Sequence, residues 1–450
     1  MNALEADVTT ALGVPDAALA TRVQAGATKT ALDARYATNT ALAGKEPTIP
    51  TGTTAQYRRG DKTWQTLDKT AVGLSNVDNT SDINKPVSAA TQAALNASVA
   101  PTTLVEGLPL YIYGNSYTTP PAIGRATTDN HWPRRLHERL HMGTVAYNGH
   151  PGAVIGQIAY NLNNNVDGAA PSRKWVTGSK GLVIIEESIN DAVTFGTSAK
   201  AQTAYAMALR TMVELIRASS RTDATNAAIT YTGTWSSGTA YLVASGKKTS
   251  AIGAKASFSV TGDAVTLYWM GDSGTTSYTT CDVKIAGGAT LATIDTRSQM
   301  DPYNAPGTVG TGIGANLCCT RITGMGGGTR TIEVVLTGAG GGNSFYFDGF
   351  SIPGTKPPEI IFLKEGLISN YNPNGSSAAR EAYNALMETV AGEYPTFVST
   401  ADPGTAWDAS CLYMGDGTGN HPNDKGYAVL TDTLAAHIKT LDYRDGLHIL

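Results

Sequence analysis

Ser116, His421 and a few amides carry the chemistry open to this sequence. Four short segments hold them: Gly114-Asn115-Ser116-Tyr117-Thr118, the glycine turn from Gly149 to Gly152, Ser188-Ile189-Asn190-Asp191, and His421-Pro422-Asn423-Asp424. An alcohol is a poor nucleophile at neutral pH. It attacks a carbonyl when a base lies within hydrogen-bond reach and N–H donors await the oxyanion. In chain order the segments offer a serine, amide donors and an imidazole, which together suit acyl transfer.

Each segment sits where an apolar strand ends or a helix begins. Leu110-Tyr111-Ile112-Tyr113, Thr144-Val145-Ala146-Tyr147, Gly181 to Ile185, Glu359 to Leu363 and Thr396 to Ser399 read as strands. Continuous apolar runs suit strands covered on both faces, as in a parallel sheet. Helical stripes fall between them: Tyr205, Leu209, Met212 and Ile216, then Tyr383, Met387 and Val390, and finally Leu430, Leu434 and Ile438. The alternation predicts a doubly wound α/β domain, whose ligands gather at the carboxyl ends of the strands. Ser116 falls at such an end.

From about 223 to 354 the period becomes two, as in Val265, Leu267, Trp269 and in Ile332, Val334, Leu336, with Gly-rich turns between. This predicts an all-β sandwich inserted between the third and fourth α/β strands. The expected division is 1–106 for an N-terminal region, 107–222 and 355–450 for the α/β domain, and 223–354 for the insertion.

With 450 residues there is room for two or three domains. The net charge of -4 and the lack of a basic stripe argue against a nucleic-acid partner. No stretch approaches the length of a membrane span. Met1 to Asp7 carries acids and no apolar core, which predicts folding in a cytoplasm. Cys281, Cys318, Cys319 and Cys411 lack zinc spacing and read as buried thiols, with a bridge from Cys281 to one of the adjacent pair as the alternative.

Residues 1 to about 100 hold few large apolar side chains, with helical stretches as short as Thr30 to Tyr36. Nothing there buries a core alone. Tyr57-Arg58-Arg59-Gly60-Asp61-Lys62-Thr63-Trp64 and the run from Val72 to Ser88 resemble segments of tail fibres and minor tail proteins of tailed bacteriophages. That resemblance implies a fibrous, homotrimeric stalk that joins other tail proteins. It implies a virion protein made in the host cytoplasm and acting at the host surface. It also accounts for Arg59-Gly60-Asp61 without an integrin.

The four chemical segments resemble the blocks of the SGNH (GDSL-type) hydrolases, flavodoxin-like α/β/α esterases and lipases. The Gly-Asp-Ser-x-(Ser/Thr) block matches Gly114 to Thr118 with Asn115 for Asp. The second-block glycine matches Gly152, and Gly-x-Asn-Asp matches Ser188 to Asp191 with Ser188 for Gly. The Asp-x-x-His-Pro block matches His421-Pro422, but Thr418 stands where the acid is expected. The resemblance covers about 107–221 and 355–440. It implies Ser116 as nucleophile, His421 as base, and an oxyanion hole from the N–H groups of Ser116 and Gly152 with the Asn190 amide. Asp416 is the candidate third member, and a Ser–His dyad is the alternative. No metal or organic cofactor is implied.

The expected reaction is hydrolysis of an ester, such as O-acetyl groups on a host envelope glycan. The rival expectation is an inactive fold that binds a surface polysaccharide. The insertion, with Trp235, Tyr268 or Trp269, could stack on sugar, although core packing is the commoner fate of Trp269. Asp424 is expected at a helix N-terminus. Gly271-Asp272-Ser273 spells the first block but lies in the insertion and reads as a turn. His137 and His141 are four apart on an expected helix, with no further metal ligand in view.

Overall fold

The computed structural model describes residues 50–75, 88, 105, 107–119, 131–163, 175–238, 246–271, 276–297, 317–366, 377–412 and 421–441. The chain divides into two compact units, Met1–Gln92 and Ala93–Leu450.

In the first unit, β1 (Gln56–Arg58) and β2 (Trp64–Thr66) pair antiparallel. Arg59-Gly60-Asp61 lies in the turn, where Asp61 accepts from the Thr63 N–H at 3.0 Å and hydroxyl at 2.7 Å. The Trp64 indole donates to the Pro50 carbonyl at 2.9 Å. Leu67, Val72 and Leu74 are exposed. A lone two-stranded hairpin is at best marginally stable in water. The expected helix at Thr30 to Tyr36 and most of the Val72–Ser88 segment lie outside the described residues.

The second unit begins its regular structure with β3 (Leu110–Gly114), α1 (Trp132–Arg139), β4 (Val145–Gly149) and α2 (Ile155–Asn163). There follow β5 (Leu182–Glu186), α3 (Ile189–Phe195) and α4 (Ala199–Arg217). A run of antiparallel strands comes next: β6 (Ala218–Asp223), β7 (Thr230–Thr232), β8 (Ser236–Gly238), β9 (Gly246–Thr249), β10 (Lys255–Thr261) and β11 (Val265–Met270). It continues with β12 (Tyr278–Ile285), β13 (Thr290–Asp295), β14 (Leu317–Ile322), β15 (Thr329–Gly340) and β16 (Phe345–Pro353). The chain then returns through β17 (Glu359–Leu363), α5 (Ser377–Gly392), β18 (Val398–Ala401) and α6 (Asp424–Thr440).

Five strands form a parallel sheet in the order β18-β17-β5-β3-β4. Alternate side chains feed two cores, which explains the unbroken apolar runs. Tyr113, Val183, Ile185, Ile360 and Phe362 pack with α2, α4 and α5. Leu110, Ile112, Leu182, Ile184, Ile361 and Leu363 pack with α1 and α6 on the other face. The last strand starts at Val398 rather than Thr396. Phe397 and Val398 both donate to the Tyr394 carbonyl, so the chain is still turning there.

The antiparallel strands make two sheets, β13-β12-β15-β10-β7 and β14-β11-β16-β9-β8, with β6 beside β16. Period-two burial holds along β10, β12 and β15. It fails in β11, which is buried nearly throughout. One face of β11 and β14, with Leu267, Trp269 and Cys318, fills the space between the sheets. The other, with Tyr268, Leu317 and Cys319, packs in the same core as α4. Among the described residues no helix is long and apolar enough to cross a membrane.

Candidate active site

Ser116 occupies a tight turn at the carboxyl end of β3. A Cβ on Gly114 would stand 2.3 Å from Thr118 Oγ1 and 2.5 Å from Glu186 Oε2, so glycine is what lets the turn lie against the end of β5. Asn115 shapes the turn twice over. Its side-chain oxygen accepts from the Tyr117 N–H at 2.7 Å, and its carbonyl accepts from the Thr118 N–H at 3.2 Å. Trp132 Nε1 donates to the Tyr117 carbonyl at 2.9 Å, and His131 Nε2 donates to that of Thr118 at 2.9 Å. Buried His131 thus has both a fixed tautomer and a pKa pushed down to about 4 by burial, against the pull of Thr118.

His421 arrives from the far end of the chain. Its Nε2 lies 3.1 Å from Ser116 Oγ. Pro422 bridges to Leu412, and Asn423 Nδ2 donates to the carbonyls of Ser410 at 2.8 Å and Leu412 at 3.0 Å. Asn423 also caps α6, accepting from Lys425 and Gly426. Asp424 opens that helix. Tyr117 lies beside the imidazole, with ring centroids 6.4 Å apart, and stacks on Trp407. Asp416 and Thr418 lie outside the described residues.

Gly152 sits at φ 75°, a conformation that favours glycine, and a Cβ there would meet no neighbour. Among the described residues no acceptor takes the Ser116 or Gly152 N–H. Asp191 Oδ2 accepts from the Ile155 N–H at 2.7 Å and so ties α2, which follows the Gly152 turn, to α3. Asn190 is committed differently. Its amide nitrogen donates to the Ala153 carbonyl at 2.8 Å and to Glu187 Oε2 at 3.2 Å. The serine and the imidazole bond one another beside the Gly152 turn, while the Asn190 amide joins two loops.

Beneath Ser116 lies a buried acidic floor that motif matching missed. Glu187 accepts from the backbone N–H groups of Asn190 (2.6 Å) and Asp191 (3.2 Å), and from Asn115 Nδ2. Glu365 accepts from Asn115 Nδ2 at 2.8 Å and from the Ser188 N–H at 3.2 Å. Glu186 accepts from the Thr118 hydroxyl at 3.0 Å and the Asn115 N–H at 3.3 Å. Arg380 of α5 reaches Glu365 at 3.6 Å. Burial, then the neighbouring Glu365, holds the Glu186 and Glu187 carboxyls well above the usual range. The signal available in the sequence was an adjacent pair of acids at the end of an unbroken apolar strand, just before a catalytic block.

Other expectations divide: the histidine pair and the sugar-stacking role of Tyr268 are corrected, while the buried thiols and the core placement of Trp269 hold. The helix of His137 ends at Arg139, and His141 turns to φ 50°, so the two histidines do not share a helical face. His137 bonds the Gly143 carbonyl at 2.8 Å. Tyr268 and Trp269 are buried, bonded to Ser351 and Thr320, and closed to sugar, whereas Trp235 is half-buried. The four cysteines are free and buried, with no bridge from Cys281. Asp272 and Ser273 lie outside the described residues, just past β11.

No protein-family model matches the chain. Over 63 residues it is 54% identical to the Gene 31 protein of Mycobacterium phage D29, which is 14% of this chain and 10% of that protein. The chain therefore spans about a tenth of the length of the curated relative it matches. A segment of the chain is similar to a phage protein. Among solved structures, a two-domain esterase (CEX) active on acetylated mannans aligns at TM-score 0.29 and 11% identity, over 59% of this chain and 95% of that one. A family two carbohydrate esterase from Cellvibrio japonicus aligns at TM-score 0.22 and 13% identity, over 42% and 53%. The CBM36-1 domain of a multidomain xylanase from the hindgut metagenome of Trinervitermes trinervoides aligns at TM-score 0.22 and 22% identity, over 30% and 98%. TM-scores this low do not establish a shared fold.

Proposed function

We propose that the second unit is an SGNH-type serine esterase head carried by a phage tail fibre or minor tail protein. The observation that carries this reading is the 3.1 Å contact between Ser116 Oγ and His421 Nε2 at the carboxyl end of a parallel sheet. The strand order supports it: numbered along the chain, the strands run second, first, third, fourth, fifth, as in flavodoxin-like sheets.

In the proposed reaction, His421 Nε2 takes the Ser116 proton as Oγ bonds to the ester carbonyl carbon. The oxyanion is held by the N–H groups of Ser116 and Gly152. Asn190 becomes the third donor by releasing Ala153. The proton then passes to the departing alcohol. Water attacks the acyl-enzyme with His421 again as base, freeing the acid and restoring Ser116. Asp416 orients the imidazole in a triad, and its dispensability would mark a dyad.

The substrate class we infer is a glycan ester on the host envelope, O-acetyl groups foremost. In this reading residues 223–354 hold the glycan, and residues 1–106 form a homotrimeric stalk attached to other tail proteins of the virion. Exposed Leu67, Val72 and Leu74 on a small hairpin support burial by further copies. A monomeric mass by light scattering of the full chain would overturn the trimer. The second reading is an inactive receptor-binding head, favoured by the commitment of both Asn190 amide hydrogens.

Turnover of p-nitrophenyl acetate by the full chain, beside Ser116→Ala and Asp416→Ala, tests the proposal. Loss with Ser116→Ala supports the esterase, and a further loss with Asp416→Ala supports the triad. A wild-type chain inert toward this ester and toward host-wall polysaccharide leaves the receptor-binding reading.

A further inference from the structure

We propose that the floor of the site retains one proton between Glu186 and Glu365, and that this shared proton fixes the nucleophile turn through Asn115. The catalytic consequence rests on the esterase reading; the proton itself does not.

Residues Glu186 and Glu187 are 0% exposed, Glu365 1% and Arg380 4%. Asp191 and Glu187 face this cluster from the β5–α3 junction, Tyr117 from the nucleophile turn, Tyr205 from α4 and Arg380 from α5. Among the described residues Arg380 is the cation that meets the cluster. One guanidinium cannot neutralise three carboxylates, and each uncompensated buried charge costs several kcal/mol (order of magnitude). Uptake of a proton is the cheaper state.

Hydrogen-bond accounting locates that proton. Both oxygens of Glu187 are occupied by N–H donors, an arrangement that favours the carboxylate. Glu186 Oε2 and Glu365 Oε1 are likewise occupied. Glu186 Oε1 and Glu365 Oε2 are the oxygens left over, both buried and both without a hydrogen-bond donor among the described residues. The two carboxyls meet at Asn115, Glu186 through its N–H and Glu365 through its side-chain amide. An O–H between them satisfies both without adding charge, and it leaves Arg380, 3.6 Å from Glu365 Oε2, as the ion-pair partner of the cluster.

Asn115 completes the balance. Its amide supplies two hydrogens, one to Glu187 and one to Glu365, while its oxygen takes the Tyr117 N–H. An aspartate there would be one more buried acid facing two acceptors with no hydrogen to give. The asparagine and the shared proton are therefore two parts of one device that holds residues 115–118 in place.

The test uses Glu186→Gln, which supplies a permanent donor toward Glu365 while its oxygen still accepts from Asn115 and Thr118. Melting temperature of the full chain is measured from pH 5 to pH 9. A carboxyl kept protonated above its ordinary range binds more proton folded than unfolded, so stability falls as pH rises. Wild type is expected to show that fall and Glu186→Gln to flatten it; equal slopes overturn the proton. On the catalytic side, Glu186→Ala is expected to lose about tenfold or more in kcat with KM little changed, since misplacement of the nucleophile carries such a loss. Glu186→Gln is expected to recover most of it, and an equal loss in both variants overturns the positioning role. Should Glu186→Ala not fold, Glu186→Gln against wild type decides both points. A wild-type chain without turnover defeats the esterase reading and leaves the melting comparison to decide the proton.

Discussion

Glu214 and the three glutamates beneath Ser116 are buried alike but keep opposite company. Glu214, on α4, receives Arg217 at 2.9 Å, the Thr266 hydroxyl at 2.5 Å and the Tyr394 hydroxyl at 2.8 Å, with Arg321 at 4.0 Å. Arg217 and Arg321 also lie over the Tyr394 ring. This network joins α4 to β11, β14 and the turn after α5, and its acid is outnumbered by cations. The floor beneath Ser116 has the reverse ratio. A seam that only has to stay closed can meet its acid with an excess of cations. A site floor that must hold a turn by accepting hydrogen bonds keeps acceptors in excess and tolerates their repulsion.

Removing the single cation of the floor should break the contrast most severely. Arg380→Met is expected to cost about 3–5 kcal/mol, as for a buried pair that loses one partner. The loss should shrink at pH 5, where the acids can take up protons. Denaturant midpoints at pH 5 and pH 8 check this, and a pH-independent loss would mean that Arg380 acts by packing alone.

A second effect sharpens the comparison from the other side of the turn. His131 stays neutral when folded, with a pKa of about 4 against 6.5 for the free side chain. The unfolded chain binds this proton first, so stability should drop as pH falls from about 6.5 to 4, by on the order of 3 kcal/mol when complete. His131→Gln, which can still donate to Thr118, should flatten that acid limb in a pH series of melts. The site thus loses stability at both ends of the pH scale.

Glu214→Gln is a milder break. It keeps the shape and an acceptor but strands Arg217, at about 1–3 kcal/mol. Melting should fall while the Ser116 labelling rate with a serine-reactive fluorophosphonate stays unchanged. Smallest is Gly152→Ala, about 1–2 kcal/mol for a β-carbon at positive φ with no clash. Its kcat should fall more than its stability suggests, because the strained N–H is one of the proposed oxyanion donors.

The fold was legible where burial is two-sided and local. Glu359–Leu363 reads as a strand because every residue in it is buried, and the Tyr205 stripe reads as a helix because one face is. The same logic failed on β11. Tyr268 was offered as a residue that could stack on sugar, but it packs in the same core as α4, and no local pattern in Val265–Met270 reports a helix about 50 residues earlier. In the site, Ser116 and His421 were legible because their blocks are short and ordered. Glu186 and Glu187 belong to none of the four blocks, and acids that close a strand are mostly solvated. Only the arrival of Glu365 and Arg380, from beyond the antiparallel insertion, makes them a floor. Asn115 was read as a tolerated change, and its reason lay in those same distant carboxyls.

Ser116 and His421 are 305 positions apart, with the antiparallel sheets between them. At ribosomal rates of roughly 5–20 residues per second, that separation corresponds to about 15–60 s of synthesis. During this interval a nascent chain carries the serine without its base. The histidine turn, anchored to residues 410–412 and to the first turn of α6, closes the pair only as α6 emerges. In the proposed esterase, competence therefore waits for α6, and a chain stalled within the antiparallel strands holds Ser116 without His421.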